Sequence, residues 1–168
     1  MINQAAKKIL KALSFDGVEV EMFRHMADLK RLDPMKIFYK KVDGKIYNGS
    51  HAVPIRIFFP SEKSFRESEE KKHDIQDKKL LLFIHGGGFM VGNIGQYENC
   101  LRDIAERTGC VAIYPEYRLS PETMFPGGVE DCVKTLDWLV EHADELGVDA
   151  TRVVVAGDSA GGSLTNAV

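Results

Sequence analysis

Apolar residues open the chain at helical spacing: Ile2, Ala5, Ala6, Ile9, Leu10 and Leu13 predict an amphipathic helix, and a second helical stretch covers residues 18–29. Around residues 37–42 and 53–59 the apolar period shortens toward two. Asp43–Gly44 and Asn48–Gly49 read as turn signals between them, which predicts an antiparallel pair of strands. Residues 61–79 are dense in Glu, Lys, Asp and Ser and predict a solvated loop. Beyond them come three short, continuous apolar runs, at residues 80–84, 111–114 and 153–156. Such runs mark strands buried on both faces. Between them, Tyr97, Cys100, Leu101, Ile104 and Ala105 form one helical face, and Val129, Val133, Leu136, Leu139, Val140 and Ala143 form another. Strand alternating with helix implies right-handed crossovers and a mostly parallel sheet flanked by helices, an α/β fold.

Composition narrows the class. The 168 residues are 44% apolar and 28% charged, as in an ordinary soluble domain with a sizeable core. With 22 basic against 25 acidic side chains the net charge is −3, which argues against nucleic acid or an anionic membrane as a partner. No apolar run approaches the ~20 residues of a membrane span. Lys7, Lys8 and Lys11 interrupt the N-terminal apolar positions, so no secretory signal is predicted. Cys100, Cys110 and Cys132 show no metal-ligand spacing. Two lie on predicted apolar helix faces and one beside a buried strand, so all three are expected to be reduced and inaccessible. A cytoplasmic protein is the resulting expectation.

The candidate chemistry sits at the ends of the predicted parallel strands. Gly157-Asp158-Ser159-Ala160-Gly161 follows the strand at 153–156 directly and runs into helix-compatible residues. This is a GxSxG nucleophile elbow in strand–turn–helix context. A sharp turn holds the serine in a strained backbone region and lifts its Oγ toward substrate, while glycines let helix and strand approach closely. His85-Gly86-Gly87-Gly88-Phe89 leaves the strand at 80–84. Its glycines expose consecutive backbone N–H groups, the donors that a tetrahedral oxyanion requires. A phosphate-binding loop would instead show GxGxxG, or a lysine after the glycines. His85 sits beside these donors and not opposite Ser159, so it reads as a loop-fixing residue and not as the base.

These motifs, with Tyr117-Arg118-Leu119-Ser120-Pro121-Glu122, Phe125-Pro126 and Asp131 between them, resemble the hormone-sensitive-lipase family of α/β-hydrolases in type and order from Leu80 onward. The resemblance implies Ser159 as nucleophile and the N–H groups of Gly87, Gly88 and Ala160 as oxyanion hole. It also implies that His85, Asp158, Arg118, Glu122 and Asp131 support the site without touching substrate. Residues 1–34 would form a helical cap segment and residues 35–168 the N-terminal part of the catalytic domain. The implied substrate is a small-molecule ester with a short to medium acyl chain, cleaved without metal or organic cofactor; homodimerisation stays open.

The chain departs from that pattern at one point. The triad of such enzymes runs Ser, then Asp or Glu, then His, yet only Ala160 to Val168 follow Ser159, with neither carboxylate nor histidine among them. His25, His51, His73 and His142 all lie upstream. The expectation is a C-terminally incomplete hydrolase, poorly active by itself. The alternative is a non-catalytic small-molecule receptor on the same fold, of the gibberellin-receptor kind. Intact HGGG and GDSAGG motifs favour the enzyme.

Overall fold

The structure is a computed structural model that describes residues 41–69 and 78–168. The two N-terminal helices and the cap segment lie outside the described residues, as do most of the strand expected at 37–42 and part of the loop expected at 61–79. Among the described residues, five strands form one sheet: β1 (Lys41–Asn48), β2 (His51–Phe58), β3 (Leu80–Ile84), β4 (Val111–Pro115) and β5 (Val153–Gly157). Their spatial order is β1-β2-β4-β3-β5. The hairpin β1–β2 and the pair β2–β4 are antiparallel, whereas β4–β3 and β3–β5 are parallel. The helices are α1 (Glu62–Glu69), α2 (Ile94–Thr108), α3 (Gly127–Glu141), the short α4 (Ala143–Leu146) and α5 (Ala160–Thr165).

The alternation within β3 explains the layering. Leu80, Leu82 and Ile84 turn to one face, where they pack with Ile113, Cys132 and Leu139 from β4 and α3 and with Leu164 from α5. Leu81 turns to the other face, against Leu101 and Ala105 of α2 and Tyr114 of β4. Because both faces are covered, the strand reads as an unbroken apolar run. α2 is bounded by local chemistry: the Asn93 side chain accepts from the Gly95 N–H at its start, and Gly109 ends it at φ 69.

β5 is not buried on both faces as its apolar run predicts: Val154 is 54% exposed and its other residues are only partly buried, because β5 is the edge of the described sheet. Four further sequence expectations need correction. Asp43–Gly44 is not a turn but lies inside β1. Gly44 pairs with Ile55, and Asp43 accepts a 2.8 Å hydrogen bond from Arg56 Nη2 across the hairpin. The chain turns one residue later than Asn48–Gly49, at Gly49–Ser50, after Asn48 has paired with His51. Part of the stretch expected as loop is helical: Ser61 Oγ accepts from the Ser64 N–H at the start of α1, and Phe65 packs edge-on to Phe59 at 5.4 Å. That single aromatic anchors an otherwise polar helix, a signal too sparse for periodicity to show. On α3, Val133 and Val140 are exposed, because the packed face is the row Cys132, Thr135 and Leu139.

Cys100 is the fourth. It is exposed, whereas Cys110 and Cys132 are buried. The buried row of α2 is Leu101 and Ala105, and Cys100 sits about 100° round the helix from it. A maleimide reagent should therefore modify Cys100 in the native protein and reach Cys110 and Cys132 only after unfolding. Burial, seconded by the Asp131 charge, pushes the Cys132 thiol up to about 12, which further protects it from reaction. Modification of two or more thiols in the native state, counted by mass spectrometry, would contradict this packing.

Among the described residues no helix is long and apolar enough to cross a membrane.

Candidate active site

The elbow forms where β5 ends. Ser159 stands between Gly157, the last residue of β5, and Ala160, the first of α5, with φ 50 and ψ −117. That conformation lies outside the regions comfortable for a residue with a Cβ. Among the described residues only Ser159 and Phe89 combine a side chain with positive φ. Phe89 follows the glycine loop, so the backbone strain is concentrated at the two predicted halves of the site. The elbow also demands a small residue after the turn. A Cβ on Gly161 would stand 2.0 Å from the Ile84 carbonyl oxygen, which shows how tightly α5 presses on the end of β3. Ser159 itself is exposed.

The glycine loop turns back on itself, with the N–H groups of Met90 and Val91 donating to the Gly87 carbonyl at 3.1 and 3.0 Å. Two bonds brace it from the segment after β4: Tyr117 Oη donates to the His85 carbonyl at 2.8 Å, and the Ser120 N–H donates to the Phe89 carbonyl at 2.8 Å. That segment is anchored in turn. Asp131, fully buried, accepts from Arg118 Nε and Nη2 at 2.8 Å each, from the Arg118 N–H at 3.0 Å and from Asn48 Nδ2 at 2.9 Å. Arg118 and Asp131 thus hold the ground beneath the loop, and the hairpin joins them through Asn48, a partner that the sequence did not indicate. Glu122 is exposed on the turn before α3 and takes no part in the bonds to Asp131.

His85 is 1% exposed and stacks on Tyr117 and Tyr114 with ring centroids 4.2 and 5.3 Å apart. Its Nδ1 lies 2.7 Å from the Gly86 carbonyl, an acceptor, so Nδ1 carries the proton of the neutral ring. Burial lowers its pKa to about 4, against smaller opposing effects of the Gly86 bond and the Asp158 charge. A group that holds a proton so weakly is a poor general base at neutral pH. His142 bonds through Nδ1 to the Trp138 carbonyl at 2.9 Å and stacks on that indole, and His51 begins β2.

Asp158 joins the two halves directly. Its Oδ1 accepts the Gly86 N–H at 2.8 Å, and its Oδ2 accepts from Tyr97 Oη at 3.0 Å. Tyr97 had registered in the sequence only as part of an apolar helix face. Beside the loop, an open cavity of about 380 Å³ is lined by Phe89, Phe125, Val129, Leu164 and other residues, Ser159 not among them. No group of three or more His, Cys, Asp or Glu among the described residues is placed to hold a metal ion.

A family model described as alpha/beta hydrolase fold matches residues 81–168. Esterase LipI of Mycobacterium tuberculosis is 30% identical over 97% of this chain and 49% of its own length. An ethyl acetate hydrolase of Pseudomonas putida is 36% identical over 68% of this chain and 33% of its own length. Among solved structures, the thermostable carboxylesterase EstE1, cloned from a metagenomic library, superposes with a TM-score of 0.75 at 31% identity, over 88% of this chain and 48% of that one. The chain therefore spans about half the length, or less, of the relatives it matches.

Proposed function

Since the chain belongs to the α/β-hydrolase-fold family, we propose that it supplies the nucleophile and the oxyanion donors of a serine carboxylester hydrolase. The observation that carries this reading is the strained Ser159, at φ 50 and ψ −117 between a parallel strand and a helix. A serine is kept in such a conformation where exposure of its Oγ is worth the strain. In the proposed reaction Ser159 Oγ attacks the acyl carbonyl, and the N–H groups of Gly87, Gly88 and Ala160 receive the oxyanion. The alcohol leaves, and water then releases the acid from the acyl-enzyme.

Arg118 and Asp131 keep the braces under the donor loop in place, His85 fills the space behind it as a neutral ring, and Asp158 fixes the loop to the elbow. Glu122 contributes to the same turn from its surface. The serine needs a histidine as base; His85, held neutral and bonded to its own loop, does not fill that role. The name of the Pseudomonas putida relative points to small acyl groups, and acetyl to butyryl esters are the proposed substrates. The protein is proposed to act in the cytoplasm, consistent with free thiols at all three cysteines.

A fluorophosphonate probe tests the nucleophile without a substrate guess. Incubation of the full-length gene product should give one covalent adduct, on the peptide that contains Ser159, and prior exposure to an acetyl ester should slow its formation. An adduct on a different serine would overturn the assignment.

A further inference from the structure

The geometry points to Tyr97 as a positioning residue that fixes the glycine loop relative to the nucleophile, through the Asp158 carboxylate. The inference rests on the hydrolase reading above and adds to it a residue from α2, outside both motifs.

Three hydrogen bonds close a ring. The Gly86 N–H donates to Asp158 Oδ1 at 2.8 Å and, at 3.3 Å, to Tyr97 Oη. Tyr97 Oη donates its own proton to Asp158 Oδ2 at 3.0 Å. The ring joins three segments: the peptide that precedes the proposed donors Gly87 and Gly88, the residue that precedes Ser159, and the first turn of α2. The distance between oxyanion donors and nucleophile is thereby set by a carboxylate whose both oxygens are engaged.

The carboxylate alone would hold the loop less well. Asp158 is exposed, and water competes for an exposed acceptor. A single bond from Gly86 would leave it free to rotate. The Tyr97 hydroxyl takes the second oxygen and removes that freedom, and its ring is itself held, 5.6 Å from Phe83 and 5.7 Å from Tyr114. Gly86 completes the fit, since a Cβ there would lie 2.8 Å from Asp158 Oδ2. Burial, with the Asp158 bond and charge second, raises the Tyr97 pKa to about 12, so the hydroxyl stays protonated and able to donate through the working pH range.

A hydroxyl that aims donors at a developing oxyanion acts in the transition state and not in substrate binding. Its loss should lower kcat and leave KM nearly unchanged. Tyr97→Phe removes the hydroxyl and keeps the ring contacts. In the full-length gene product, assayed with p-nitrophenyl acetate, we expect kcat to fall roughly tenfold, the scale of one lost bond to a charged group, with KM within about twofold of the parent.

In an Asp158→Asn background the same change should cost less than about twofold, because the carboxylate through which Tyr97 acts is already gone. An unchanged kcat in Tyr97→Phe, or an equal loss in both backgrounds, would overturn the inference. Turnover that survives Ser159→Ala would remove instead the reading on which it rests. The Gly86 amide gives a readout that needs no turnover: its hydrogen exchange should speed up several-fold in Tyr97→Phe, and an unchanged rate overturns the inference by itself.

Discussion

Ser159→Ala is expected to lower kcat/KM for p-nitrophenyl acetate and butyrate by roughly 10³-fold or more in the full-length gene product, with little change in thermal stability. The size of the loss follows from chemistry. Without Oγ no acyl-enzyme can form on this residue, and the donors proposed at Gly87, Gly88 and Ala160 would stabilise only the direct attack of water, a far slower reaction. The small effect on stability follows from the structure: Ser159 is exposed, and its side chain caps no helix N–H. A loss of activity without a loss of stability therefore isolates the nucleophile.

Ser159→Gly sharpens the test. It should be equally inactive yet more stable, by about 1 kcal/mol, because glycine accepts φ 50 without the Cβ strain that serine bears. Residual turnover above about a tenth of the parent in either variant would mean that another nucleophile does the work.

How much of this was legible beforehand depends on whether a signal is local. β3 and β4 announced themselves because strands covered on both faces must be apolar at every position. β5 is as apolar in sequence but only partly buried, with Val154 54% exposed, and the bounds of all three moved by at most one residue. The elbow and the glycine loop were equally plain, since a serine at positive φ and a close helix–strand approach need glycines at fixed offsets. The family likeness read from HGGGF and GDSAGG agrees with the matched family and with relatives named as esterases.

Long-range pairing left no such trace. Nothing near Tyr97 in the chain tells its hydroxyl from the apolar ring that carries it, and the Asp158 partner is 61 residues away. Asn48, 83 residues from Asp131, looked like a turn residue, but it ends β1 opposite His51 and closes a buried carboxylate. Asp43–Gly44 misled because a turn dipeptide can also sit in a strand when its aspartate finds a cross-strand arginine, here Arg56. On α2 and α3 the apolar rows are wider than the faces that pack, and only the neighbours decide which row turns inward.

The largest expected loss of stability comes from Asp131→Ala, about 3 kcal/mol in urea unfolding at pH 7. Asp131 is fully buried and is the acceptor for four donors on Arg118 and Asn48. Alanine would strand those donors. The Arg118 side chain is 26% exposed, so water rescues part of its charge, which holds the figure below that of a fully buried pair. Asp131→Asn keeps the volume but not the charge, and should cost about half as much.

The acid limb separates a charge effect from packing. Burial by itself raises the Asp131 pKa, but the bonds from Arg118 and Asn48 and the Arg118 charge outweigh it and hold the carboxyl below its ordinary value of 3.8. A carboxyl with a depressed folded-state pKa contributes stability that is fully present above its unfolded value and is lost as pH falls through the folded one. The parent should therefore lose this contribution only below about pH 4, and the gap between parent and Asp131→Asn should narrow there while it stays constant from pH 5 to 8. A gap that is the same at pH 3 and at pH 7 would mean that the Asp131 charge contributes nothing, and that Arg118 is held in place beneath the glycine loop by packing alone.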